Sequence, residues 1–142
     1  MVDFDLEQFV NAQDTGGSYE QALRELRRGR KTSHWIWWVF PQIAGLGQSP
    51  TSRRYGVSSL AQARAYLAHP VLGQRLRDAT TALRAAPGDD PVAILGDIDA
   101  VKVRSSMTLF AAADPAEPVF QQVLDRFYDG QPDLRTISRI TG

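Results

Sequence analysis

Apolar residues recur every three to four positions along most of the chain, the spacing that places them on one face of an α-helix. In "SYEQALRELRR", for example, Tyr19, Ala22, Leu23 and Leu26 lie on one side. No segment alternates apolar and polar residues over a convincing strand length. The run "IWWVF" has the content of a strand, but it is too short for periodicity to decide. We therefore predict an all-α, compact single domain spanning residues 1–142, with about seven helices.

Local start and stop signals divide this pattern into helices. Gly29 suits a left-handed stop, and a longer helix is expected from Ile98 to Ala113. A long loop is expected over 42–56. The start signals are Asp3 or Asp5, Ser18 with Gln21 as a capping box, Ser58 or Ser59, Pro70 in a first turn, Pro91, and Asp133.

The apolar stripes of these segments define a predicted core. Each member recurs at helical spacing beside others of its kind. They are Leu23, Leu26, Leu72, Leu76, Leu83, Met107, Phe110, Phe120, Val123, Leu124 and Phe127.

Composition and charge narrow the class of protein. Sixteen basic residues balance sixteen acidic ones, so nucleic acid is not an expected partner. No apolar run approaches the roughly 20 residues that span a bilayer, and the acidic N-terminus lacks the features of a secretory signal. Cysteine is absent, and His34 and His69 have no second ligand at metal-binding spacing. We expect a cytoplasmic protein without a metal, a cofactor or a membrane contact.

Polar residues interrupt the apolar arc of "DIDAVKVRSSMTLF". Lys102, Ser105 and Ser106 lie between two apolar stripes of this helix. A lysine there costs free energy unless it is paired or lines a wet cavity, and Asp99 is a local partner. The alternative is a lysine that extends to the surface beside small packing serines.

The stretch "GRKTSHWIWWVFPQ" is crowded with aromatic rings. On a helix, Trp35 and Trp38 share a side and Trp37 points elsewhere, so at least one ring belongs to the core. His34 follows basic and hydroxyl residues that include Lys31. It is a candidate for proton transfer or, alternatively, a hydrogen-bonded structural histidine.

The predicted loop begins at Gln42 and contains "GLGQSPTSRRYG". Its glycines permit a close approach of the backbone to a ligand. Arg53 and Arg54, beside Tyr55 and several hydroxyls, could hold a phosphate. The motif lacks the spacing of a known phosphate-binding loop, so a solvated loop is the alternative.

Three long strings resemble one family. "YEQALRELRRGRKTSHWIWWVFPQ", "ILGDIDAVKVRSSMTLF" and "VFQQVLDRFYDGQPDLRT" are similar to the uncharacterised, mostly bacterial domain of unknown function 1810. The resemblance implies a mainly helical domain and no established activity. Some members are labelled calpastatin-like, but calpastatins are extended disordered chains and this sequence is apolar enough to fold. A weaker fold-level likeness links the family to the NAD- and ADP-ribose-associated superfamily.

These observations suggest a pocket for a phosphorylated, nucleotide-like anion, possible sources being NAD or ADP-ribose. Whether the chain turns this ligand over is left open. The alternatives are a protein- or peptide-binding module and a structural domain. The candidates for proton transfer and catalysis are His34, Asp99 and Lys102. The candidate ligand-binding residues are Lys31, Trp35, Trp38, Gln42, Arg53, Arg54, Tyr55, Ser105 and Ser106.

Overall fold

A computed structural model describes residues 5–141, and helices dominate this part of the chain. The helices are α1 (Glu7–Asp14), α2 (Ser18–Arg28), α3 (Ile36–Val39), α4 (Pro50–Arg54), α5 (Leu60–Ala68), α6 (Leu72–Arg84), α7 (Pro91–Leu95), α8 (Asp97–Ala113), α9 (Pro118–Phe127) and α10 (Leu134–Thr141). A 3₁₀ turn over Thr15–Gly17 joins α1 to α2.

The prediction of an all-α fold is confirmed. Within residues 5–141 the only extended pairing is an isolated parallel bridge between Ile43 and Val57, and "IWWVF" forms the single turn α3. The helices outnumber the predicted seven because α3, α4 and α7 are single turns, too short to produce a periodic pattern. The predicted loop over 42–56 contains one of these turns, α4.

Helix α8 occupies the centre of the domain, packed against α5, α7, α9 and α10. Every residue from Ser105 to Phe110 is buried, so this part of α8 has no solvent face. A chain of ring contacts crosses the core from Phe9 through Tyr66 and Phe110 to Phe120, with centroids 5.2–5.9 Å apart. Each predicted core residue is buried except Leu23, which is partly exposed.

Several predicted helix ends are confirmed. Gly29 ends α2 with φ of 78°. The Ser59 hydroxyl accepts a hydrogen bond from the Gln62 amide at the start of α5. The Asp133 carboxylate accepts one from the Thr136 amide in α10.

One predicted start is wrong, and another lies in a turn just before its helix. Ser18 is the first residue of α2 rather than its cap, and its hydroxyl instead accepts a bond from the Trp38 indole. Pro70 lies in a turn over 69–73 that the Gly73 amide closes by donating to the His69 carbonyl, and α6 itself begins at Leu72. The His69 Nδ1 caps this turn by accepting the amides of Val71 and Leu72.

The start of α1 also differs from the prediction. Leu6 precedes α1 without a side-chain cap, so Asp5 does not fill that position. The other candidate, Asp3, lies outside the described residues. None of the helices between residues 5 and 141 combines the length and apolarity needed to cross a membrane.

Candidate functional site

A buried carboxylate fixes the segment that leads into the tryptophans. The Glu25 side chain is fully buried on α2. It accepts the backbone amides of Thr32 and Ser33 at 2.6 and 2.8 Å, the Ser33 hydroxyl at 2.6 Å and the Trp35 indole at 3.1 Å. Gln21 donates a fifth bond at 2.7 Å.

These bonds also determine the ionisation of Glu25. Burial alone would raise the pKa of this carboxyl, but the donors of Ser33, Thr32 and Gln21 outweigh burial and hold the pKa well below its usual range. Sequence reasoning missed this residue. The available signal was an acidic residue three positions after Ala22, on the side of α2 that carries the apolar residues.

An ion-paired triad connects this segment to α8. The Asp99 carboxylate lies 2.7 Å from the Lys31 ammonium and 3.5 Å from that of Lys102. The Lys102 ammonium also lies 3.9 Å from the centroid of the Trp37 ring, a cation–π contact. Lys102 is therefore paired on its own helix, and the expected partnership with Asp99 is present.

A cavity of about 430 Å³ opens beside Lys102. We call it the Trp37 cavity. Its walls come from α8, the Trp37 ring, the loop before α4, α4 itself and the start of α10. The lining residues are Trp37, Gln42, Ile43, Gly45, Leu46, Gly47, Ser52, Tyr55, Gly56, Asp97, Ile98, Val101, Lys102, Ser105, Asp133 and Arg135.

The structure brings together some of the predicted site residues and separates others. Gln42, Tyr55, Lys102 and Ser105 line the Trp37 cavity. A second cavity on the other side of Tyr55 has Trp38 and Arg54 in its wall. The remaining candidates line neither cavity; they are Lys31, His34, Trp35, Arg53, Asp99 and Ser106.

The three tryptophans have three different surroundings. Trp35 is 1% exposed and belongs to the core, as expected of at least one ring. Trp38 is partly buried in the second cavity. Trp37, which lines the Trp37 cavity, was not among the candidate ligand-binding residues. Helical spacing misplaced it because a four-residue helix does not divide its side chains between two simple faces.

The cavity also omits two candidates for proton transfer, His34 and Asp99, and one candidate ligand-binding residue, Ser106. His34 is exposed and has no hydrogen-bond partner among residues 5–141. Asp99 is occupied by two ammonium groups. Ser106 is fully buried, and its hydroxyl has no partner in the described part of the chain.

An arginine of α10, rather than those of α4, lines the Trp37 cavity. Arg53 is exposed outside it, and Arg54 lies 5.2 Å over the Tyr55 ring and exchanges hydrogen bonds with Gln8. Arg135 lines the cavity and donates to the Leu46 carbonyl at 3.1 Å. The basis for a phosphate grip by Arg53 and Arg54 in this cavity is therefore gone.

The neighbouring Arg139 completes this contact. It donates to the Gly45 carbonyl at 3.0 Å, so two arginines spaced one helical turn apart hold consecutive carbonyls of the loop. The spacing is visible in "DLRTISRI", but no local pattern indicates that its target lies about 90 residues earlier.

Three charged side chains in the Trp37 cavity are not neutralised by ion pairs. Asp97, in the first turn of α8, Asp133 and Arg135 form no salt bridge within the described residues. Asp133 lies in the same wall, where it accepts the Ser105 and Thr136 hydroxyls. No cluster of three or more metal-ligating side chains occurs between residues 5 and 141.

The chain is thus a small helical domain with a cavity lined by aromatic side chains and by charges of both signs. A family model described as "Protein of unknown function (DUF1810)" matches residues 3–140, and the chain belongs to that family. The chain is 45% identical to a solved structure, that of the conserved hypothetical protein Rv1873 from Mycobacterium tuberculosis, with a TM-score of 0.94 and 98% of each chain covered. No curated protein is significantly similar to the chain.

Proposed function

We propose that the chain binds a small phosphorylated, nucleotide-like molecule in the Trp37 cavity. The observation that carries this proposal is that Trp37, Lys102 and Arg135 line one cavity. An aromatic ring offers a surface for a planar base. The ammonium and guanidinium groups offer the donors that a phosphate requires.

The charges of the cavity suggest an orientation for the ligand. Arg135 uses one donor on the Leu46 carbonyl, so the other guanidinium N–H groups are available to a phosphate. Asp97 is an acceptor without an ion pair among the described residues, and it suits the hydroxyls of a ribose. One cationic and two acidic groups without ion pairs favour a ligand that carries both an anion and hydrogen-bond donors.

The size of the cavity limits the ligand. A volume of about 430 Å³ lies toward the lower end of the roughly 300–1,000 Å³ typical of small-molecule sites. It suits a mononucleotide better than a whole dinucleotide. NAD or ADP-ribose would place one half inside and the other across the mouth, where Ile98 and Val101 are 70% and 62% exposed.

His34 has no part in this proposal because it is exposed and lies outside the cavity. We therefore propose ligand binding alone. A link to the NAD- and ADP-ribose-associated fold stays a prediction. The same exposed mouth could also bind a peptide, which is the alternative function. Nucleotide titrations distinguish nucleotide binding from peptide binding.

The three indole N–H groups allow a direct test. In a ¹⁵N–¹H spectrum each tryptophan gives one indole signal, and a substitution at each position assigns it. We expect AMP to shift the Trp37 signal and to leave the buried Trp35 signal unchanged. Adenosine, which lacks the phosphate, should bind more weakly.

A matched pair of arginine variants tests the phosphate contact. Arg135→Gln should weaken AMP binding about tenfold or more, the effect of losing one charge-assisted contact. Arg53→Gln removes an exposed arginine outside both cavities and should leave the affinity unchanged. If AMP, ADP-ribose and NAD all leave the Trp37 signal unmoved, the proposal is wrong.

A further inference from the structure

The second cavity, which we call the Trp38 cavity, has a volume of about 480 Å³ and lies between α1, the start of α2, α3 and α4. Trp38 and Tyr55 form its aromatic wall, with ring centroids 5.5 Å apart and planes inclined at 59°. Tyr55 lines both cavities. Nothing in the proposed function uses the Trp38 cavity.

The groups in this wall are held in place before any ligand arrives. The Trp38 indole donates to the Ser18 hydroxyl at 2.9 Å, which fixes the orientation of the ring. The Gln8 side-chain carboxamide donates to the Arg54 backbone carbonyl at 2.9 Å, and the Arg54 side chain lies over the Tyr55 ring. A wall restrained in this way loses little conformational entropy when it binds a ligand.

Polar groups with spare hydrogen-bonding capacity face the same space. The Asn11 carboxamide has no partner among residues 5–141, and it offers two donors and an acceptor. The Ser18 hydroxyl accepts from Trp38 and keeps its own proton to donate. Asp5 and Arg54 contribute one charge of each sign, so the lining side chains carry no net charge.

We propose that the Trp38 cavity binds a neutral saccharide ring. An aromatic wall accommodates the C–H face of such a ring through apolar and weak C–H contacts. Carboxamide, hydroxyl and carboxylate groups pair with sugar hydroxyls, which both donate and accept. The described lining contains one cation, Arg54, which lies over the Tyr55 ring. The Trp37 cavity contains two, Lys102 and Arg135, so a phosphate is favoured there rather than here.

The indole spectrum distinguishes this site from the nucleotide site. Titration with neutral monosaccharides, namely glucose, galactose and ribose, should shift the Trp38 signal and leave the Trp37 and Trp35 signals in place. Affinities are expected in the millimolar range, because a monosaccharide makes few contacts. Failure of AMP to shift Trp37 would leave this result unaffected, so the two proposals fail separately.

Two carboxamide variants complete the test. Asn11→Ala, at an exposed position of α1, should weaken the response of Trp38 to the effective sugar at least fivefold. Gln131→Ala removes an exposed carboxamide outside both cavities and should have no effect. The proposal is overturned if no sugar moves the Trp38 signal, if the sugars move Trp37 instead, or if both variants respond like the wild type.

Discussion

Replacing Glu25 with Gln tests whether the buried carboxylate holds the segment before the tryptophans in place. The side chain keeps its shape, and its remaining oxygen can still accept the bonds from Thr32, Ser33 and Trp35 that now reach Oε1. The charge is lost, and the new NH₂ group faces the donors of Ser33 and Gln21. The perturbation is therefore electrostatic rather than steric.

The magnitude follows from the number of bonds. A hydrogen bond to a charged group contributes about 1.5–3 kcal/mol and a neutral one about 0.5–1.5, a difference of about 1 kcal/mol for each bond. Five bonds reach Glu25. Because they share one carboxylate their contributions are not additive, and we expect Glu25→Gln to lower the free energy of unfolding by about 2–3 kcal/mol.

The pH dependence gives the sharper measurement. Since the pKa of Glu25 is lowered in the folded protein, its stabilisation is fully present above the unfolded value near 4.3 and is lost as the pH falls toward the folded value. Urea unfolding at pH 7 should show the full gap between wild type and variant. Unfolding at successively lower pH below about 4 should show this gap narrowing.

Glu20→Gln is the control, an exposed acidic residue on the same helix. It should change stability by less than about 0.5 kcal/mol. A loss of stability for Glu25→Gln equal to that of this control at neutral pH, or a gap that stays constant as the solution is acidified, would contradict the role of the Glu25 charge.

Three further predictions concern the triad, the loop and the core. Lys102→Met should change the free energy of unfolding by less than about 1 kcal/mol or raise it, because Asp99 keeps Lys31 as a partner at 2.7 Å. Lys31→Met, at a more buried position, should lower the free energy of unfolding more in the same urea assay, and equal losses would contradict the assigned pairing. Gly45→Ala should weaken AMP binding more than Gly88→Ala. Both glycines have φ above 90°, but only at Gly45 would a Cβ meet Arg139, at 2.5 Å. Equal effects on AMP affinity would show that backbone strain alone matters. Leu76→Ala should lower the free energy of unfolding by about 2–5 kcal/mol in thermal or urea unfolding. Leu134 is 74% exposed, so Leu134→Ala should be nearly neutral, and a small loss of stability for Leu76→Ala would contradict the place of Leu76 in the core.

The fold was largely predictable because its information is local. Helical spacing identified buried positions such as Leu76, Met107 and Phe120, and single residues such as Gly29 and Ser59 marked helix ends. The exceptions arose where tertiary contacts took over a local signal. Ser18 has the sequence of a cap, yet its hydroxyl bonds to Trp38, 20 residues away.

The site was less predictable because contacts distant in sequence assemble it. The lysine embedded in α8 pointed to a paired or wet environment, and Lys102 does pair with Asp99 and line a cavity. Nothing local could show that Arg135 would replace Arg53 at that cavity, or that Trp37 would be the ring that lines it. Those outcomes depend on where α10 docks, and the spacing of apolar residues along the chain does not indicate that position.

The docking of α10 links the cavity to the local stability of this helix. The Asp133 carboxylate and amide bond to the Ser105 and Thr108 hydroxyls of α8, and the α10 arginines hold loop carbonyls 89 and 94 residues earlier. When α10 detaches, the loop loses both arginines while the contacts between α8 and α9 remain. Any ligand that requires the closed cavity therefore stabilises the docked helix by mass action. Slower amide hydrogen exchange in α10 would then reveal an occupied cavity, even though most of its residues do not line it.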